Sequence, residues 1–159
     1  MPNAPHPTVA PNLAVFDRNL RVLTRTVEGV GDAAAATPLF EGGSHLHWLL
    51  GHLVVSRDGL LRHLGAEPVW GEDAAASFGR GSTPDARPTA TIAEQIGRLG
   101  QQQAQLEATL ATVDDATLAR PAGRMTVAAW IEFLAWHETY HVGQATLYRR
   151  AAGLASAIG

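Results

Sequence analysis

Apolar residues recur along this chain at steps of three and four, and nowhere with the alternation of a half-buried strand. Leu13, Phe16, Leu20, Leu23 and Val27 make one stripe. It predicts a first helix from Asn12, as the capping residue, to Val30, with Gly31 ending it. Ser44 is the expected N-cap of a second helix that reaches His63 or Leu64 and stops at Gly65. Thr91-Ile92-Ala93-Glu94 has the capping-box pattern and opens a third helix continuing to Thr112. On it Leu99, Leu106 and Leu110 should face inward, and Gln101, Gln102 and Gln103 should face solvent. A fourth helix runs from Thr126 to Ala152 and ends at Gly153; Trp130, Leu134, His137, His141, Ala145 and Tyr148 share one of its faces. Residues 66–89 are rich in Gly, Pro, Asp and Ser and read as a long loop. These elements predict an all-α four-helix bundle, one domain over residues 12–159 behind a disordered or extended N-terminal tail, residues 1–11.

Composition narrows the chemistry. A chain of 159 residues can close one core. A formal charge of −3 with scattered arginines lacks the basic footprint of a nucleic-acid partner. No apolar run of about 18 residues predicts a membrane span. The polar, proline-rich start lacks the pattern of a secretory leader, so a cytoplasmic location is expected. The absence of cysteine excludes a thiolate nucleophile, thiolate-held iron–sulfur clusters and disulfides. The absence of lysine excludes Schiff-base chemistry and a P-loop lysine. Seven histidines remain as the conspicuous resource.

His137-Glu138-Thr139-Tyr140-His141 reads H-E-x-x-H. Histidines four apart on a helix differ by about 40° around the axis and about 6 Å along it, so both imidazoles reach one ion. Nitrogen donors suit a divalent transition metal such as zinc, nickel or iron. A metalloprotease built on this motif takes a third ligand downstream and lines its substrate with a sheet. Here the eighteen residues after His141 contain no His, Asp or Glu, and no strand is predicted.

The third ligand is therefore sought upstream. His52 lies in mid-helix with Leu49, Leu53 and Ser56 on a bundle-facing side, and Gly51 beside it allows a close approach. His47 sits about 140° away around the axis, and His45 about 10 Å away along it. His63 is near the helix end and His6 is in the tail. The expected ligands are His52, His137 and His141. Glu138 projects about 100° from His137. It is a candidate general base, with an outer hydrogen bond or a surface pairing with an arginine as the alternatives. Gln144, one turn beyond His141, can orient a ligand or a bound water, or bridge two helices. Trp48, Trp130 and Trp136 read as core or interface packing rather than a substrate box, and Arg149 and Arg150 as solvated charges favoured by the helix dipole.

Trp48-Leu49-Leu50-Gly51-His52, followed far downstream by His137-Glu138-Thr139-Tyr140-His141-Val142-Gly143-Gln144, resembles the DinB/YfiT-like superfamily of bacterial metalloenzymes. The likeness covers helices two and four directly, and helix order and length fit nearly the whole chain. It implies a four-helix bundle, often a homodimer, whose three histidines hold a divalent metal beside an open coordination position. Those ligands match His52, His137 and His141. His47 departs from the pattern, where asparagine or a small polar residue is more usual, and this leaves room for an extra polar contact or an alternate ligand.

The resemblance further implies a low-molecular-weight thiol cosubstrate, such as bacillithiol or mycothiol. The expected activity is then a metal-dependent thiol S-transferase in detoxification or stress response, with the 66–89 loop helping to admit a small-molecule electrophile. One alternative is a metal-dependent hydrolase of a small amide or ester, in which Glu138 assists the water. The other is a non-enzymatic metal-binding helical dimer with a closed site.

Overall fold

The computed structural model describes residues 5–84 and 89–158. Four long helices carry the fold: α1 (Ala10–Val27), α3 (Leu46–His63), α5 (Ile92–Leu110) and α7 (Val127–Ala151). Between them lie the short helices α2 (Asp32–Ala35), α4 (Glu72–Phe78) and α6 (Asp115–Ala119). A two-residue antiparallel ladder, β1 (Pro121–Ala122) with β2 (Met125–Thr126), leads into α7 and pairs Pro121 with Thr126. The architecture is the expected four-helix bundle. Helix α1 packs on α7 and α5, and α3 packs on α5 and α7, which places α1 and α3 on one diagonal. No helix among the described residues is long and apolar enough to cross a membrane.

Local chemistry sets most helix ends. Thr91 accepts from the Glu94 N–H while the Glu94 carboxylate accepts from the Thr91 N–H, the full capping box. Thr126 caps α7 through Ala129 N–H. Gly65, at φ +79°, turns the chain after α3. Three ends differ from expectation. Helix α1 begins at Ala10, not Asn12, with Pro11 in its first turn, where a missing N–H costs nothing. It stops at Val27, and Gly29 rather than Gly31 takes the left-handed turn. The imidazole of His45, not Ser44, caps α3 by accepting from Trp48 N–H at 3.1 Å. Ser44 instead meets Tyr148, whose hydroxyl donates to its carbonyl at 2.9 Å.

Other corrections come from contacts that no single helix determines. Residues 66–89 contain α4, and Asp58 ties their start to α3 by accepting from Val69 and Trp70 N–H at 2.8 and 2.9 Å. Arg149 is not a free surface charge: its guanidinium donates to the Thr26 and Glu28 carbonyls at 3.1 and 2.6 Å, closing the C-terminal end of α1. The predicted tail is helical from Ala10, and His6 pairs with Asp115 at 3.3 Å. Residues 1–4 lie outside the described residues.

Two apolar clusters fill the bundle, one around Leu23, Leu50, Val54, Leu99 and Val142, the other around Phe16, Leu60, Leu106, Leu110 and Leu134. A polar layer of Asn19, Arg57, Asp58, Gln102, Gln103 and Glu138 separates them, and all six are buried. Gln102 and Gln103 were expected in solvent. They turn inward because α3 supplies partners: Gln102 donates to Val54 O and Asp58, and Gln103 accepts from Arg57.

Arg57 is the centre of the layer. Its Nε and Nη2 bind the two Glu138 oxygens, each at 2.7 Å. Nη1 donates to Leu99 O and Gln103 Oε1, and Nη2 also donates to Phe16 O. One guanidinium thus reaches α1, α5 and α7 from α3. Removing one partner of such a pair leaves the other charge buried and uncompensated, at a cost of about 3–5 kcal/mol. Arg57→Ala should therefore lower unfolding free energy in urea by that amount, and Arg57→Met with Glu138→Leu should recover most of it.

Candidate metal centre

The site grows from two helices that face each other. On α3, His52 is buried one and a half turns before Arg57, and its ring lies flat against Trp48, with centroids 4.9 Å apart and planes within 6°. Trp48 is itself held by Ser82, whose hydroxyl accepts from its indole N–H at 3.0 Å. Gly51 has the role its lack of a side chain allows. A Cβ there would fall 2.4 Å from the Phe78 ring, so only glycine lets the end of α4 come this close. That approach brings Phe78 O to 2.7 Å from His52 Nδ1.

A carbonyl can only accept, so Nδ1 of His52 donates and its Nε2 keeps a lone pair. On α7, His141 has the same wiring. Gln144 donates its amide N–H to the Tyr140 hydroxyl at 3.0 Å, and its oxygen accepts from His141 Nδ1 at 2.7 Å. The Nε2 of His141 is again a bare acceptor. His137 stands between them, its Nε2 3.2 Å from that of His52 and 3.1 Å from that of His141. The Nδ1 of His137 is buried without a hydrogen-bond partner among the described residues.

This arrangement is poorly satisfied by protons alone. A proton on His137 Nε2 can serve one neighbouring lone pair, not both. Full protonation is opposed: desolvation, then the neighbouring His141 and His52 charges, push His137 down to about 4. Burial also lowers His52 and His141, partly offset by the Phe78 carbonyl and the Gln144 side chain. One cation would satisfy three neutral nitrogens together. Tetrahedral zinc with nitrogens at about 2.0–2.1 Å sets them about 3.3–3.4 Å apart, close to the spacing found here. Among the described residues these are the one group of three or more His, Cys, Asp or Glu side chains with ligand atoms mutually within 4.8 Å.

The other sequence candidates lie elsewhere. Glu138 is buried, and Arg57 takes both of its oxygens. His47 is fully buried, with Nδ1 3.3 Å from Gln95 Oε1 and Nε2 3.2 Å from Asp32 O. It links α2, α3 and α5. His45 is the α3 cap, and His63 meets Trp130 edge-on. Trp136 is 63% exposed and is not core packing. The sequence reading missed Arg57 and the Phe78 carbonyl. Arg57 had a signal, since it falls within the apolar stripe Val54-x-x-Arg57-x-x-x-Leu61. A main-chain acceptor from a loop has none.

Three imidazoles converging from two facing helices of a bundle are the kind of arrangement from which interior metal sites of bundle proteins are built. Residues 16–145 match the DinB superfamily, and the chain belongs to it. Two solved structures share the fold. A conserved protein from Enterococcus faecalis is 17% identical with a TM-score of 0.73, over 91% of this chain and 96% of its own. YfiT from Bacillus subtilis, described as a probable metal-dependent hydrolase with an unusual four-helix bundle topology, is 20% identical with a TM-score of 0.66, over 91% of this chain and 87% of its own. Comparison with curated proteins finds no match.

Two outcomes follow from the geometry. Gly51→Ala should displace Phe78 and loosen His52, weakening zinc binding about 10-fold or more, as loss of an outer hydrogen bond to a ligand typically does; competition with a chromophoric chelator measures it. Acid should also destabilise the metal-free protein. The three imidazoles are held neutral in the fold, whereas the unfolded chain takes up protons near pH 6.5. Stability is then full above pH 6.5 and falls as pH drops toward about 4, the His137 value. Urea midpoints across this range should show the decline, and His137→Gln should flatten it.

Proposed function

We propose that His52, His137 and His141 hold a divalent transition metal and that the protein is a metal-dependent thiol S-transferase. The observation that carries the reading is the meeting of three neutral Nε2 donors while the nearby carboxylate, Glu138, is committed to Arg57. Three uncharged ligands leave the full charge of a bound metal to act on whatever fills an open position, and that charge can deprotonate a thiol without a protein base. A thiol cosubstrate also supplies the nucleophile that a cysteine-free chain lacks. The sulfur–carbon bond forms as the leaving group departs with its electron pair, and the thiol proton passes to solvent. His52 and His141 are kept in the ligating tautomer by Phe78 O and Gln144, and Trp48 fixes the His52 ring plane.

The hydrolase reading draws support from the description of YfiT, at 20% identity. In the version where Glu138 serves as base, it requires that carboxylate to leave Arg57. Metal content by mass spectrometry tests the common ground: about one equivalent per chain in wild type, lost in His52→Ala and in His141→Ala. Conjugation of monobromobimane with bacillithiol or mycothiol should then run faster than the uncatalysed background only when metal is present, and Glu138→Gln, with Arg57 still hydrogen-bonded, should leave that rate within about two-fold. The absence of any metal-dependent conjugation would remove the transferase; metal-dependent ester cleavage abolished by Glu138→Gln would install the hydrolase.

A further inference from the structure

Beside the three imidazoles, α7 carries a row of rings that the metal reading does not use. Phe133 lies against His137, with centroids 5.7 Å apart and planes at 27°. Tyr140 meets the edge of His141 at 5.2 Å. Trp136 bridges the two, 5.9 Å from Phe133 and 6.1 Å from Tyr140, nearly parallel to the latter at 23°. Trp136 and Tyr140 are 63% and 53% exposed, a costly way to display two of the largest apolar side chains. The positions explain the contiguity: residues 133, 136, 137, 140 and 141 fall on one side of a helix at steps of three and four.

We propose that Phe133, Trp136 and Tyr140 form the specificity subsite of this centre and take the flat, aromatic part of its substrate; the proposal rests on the metal reading above. Three observations fix the occupant as a small planar group. The row is continuous with the two α7 imidazoles, so a molecule resting on it is next to the place where chemistry would occur. None of its three side chains is charged, and stacked or tilted rings offer faces that suit a further ring. Its size is also small. An aromatic side chain carries about 150–250 Å², so Trp136 and Tyr140, with Leu147 (57% exposed) two turns further on the same side, together offer roughly 300–400 Å². A stable protein interface needs about 800 Å² from each partner. The Tyr140 hydroxyl, which accepts from Gln144, keeps its own proton for a polar group at the edge of the bound ring.

The test uses the full chain loaded with cobalt(II), titrated with 2-naphthalenethiol and with 2-mercaptoethanol, and reads the sulfur-to-cobalt charge-transfer absorption. Trp136→Ala should weaken 2-naphthalenethiol about five- to ten-fold and leave 2-mercaptoethanol unchanged, because the ring contacts of Trp136 are with Phe133 and Tyr140. Trp136→Phe should keep most of the aryl preference. Equal losses for both thiols, or no loss for either, would overturn the subsite while leaving the metal reading intact. Failure to bind cobalt in a His52-dependent way would overturn the metal reading and the subsite with it. Sedimentation equilibrium should give the same mass for wild type and Trp136→Ala; a wild-type dimer that this substitution dissociates would assign the row to a second copy and overturn the subsite.

Discussion

A single buried guanidinium constrains this bundle. Arg57 has five N–H donors, and the structure uses them on the Glu138 carboxylate, the Gln103 side chain and the carbonyls of Phe16 and Leu99. A charge in this setting is tolerated only when it is paired and its donors are met, so every helix must present its acceptor at the right height and rotation. Apolar stripes alone can slide or turn past one another at small cost. The polar layer removes that freedom. It also acts on the two helices that matter most, since His52 shares α3 with Arg57, and His137 and His141 flank Glu138 on α7.

What was legible in the sequence follows the range of the interaction that decides it. The Thr91 capping box and the pairing of His137 with His141 depend on residues three or four apart, and each is present. The four long helices were legible from their stripes for the same reason. Gln102 and Gln103 were placed on the wrong side because a glutamine's burial depends on a partner that another helix provides, here Asp58 and Arg57. The H-E-x-x-H spelling drew attention to Glu138 as a catalyst. Its neighbourhood across the bundle makes it the counter-ion of Arg57, 81 positions away in the chain. For Trp136 the residue type leaves core and interface open, and the structure places it outside the core.

Membership of the DinB superfamily accounts for the frame and spans both helices that carry the three imidazoles. The solved relatives, at 17% and 20% identity, share the helical arrangement. Around the three imidazoles the chain places a tryptophan laid flat on His52, a glutamine turned by a tyrosine toward His141, and a row of rings on the open side of α7.

The hold on His52 comes from a main-chain oxygen, delivered by the end of α4 through the gap that Gly51 leaves. Because every residue has a carbonyl, no substitution of the Phe78 side chain can delete that acceptor; it can only be moved. The orientation of the His52 imidazole is thereby entrusted to the path of a connecting segment rather than to the identity of any residue in it. Such a segment is free to drift in composition as long as its anchors, Asp58 at one end and the Trp48–Ser82 contact at the other, keep its length and course. Insertions and deletions, more than point changes, are the alterations to which this centre is exposed.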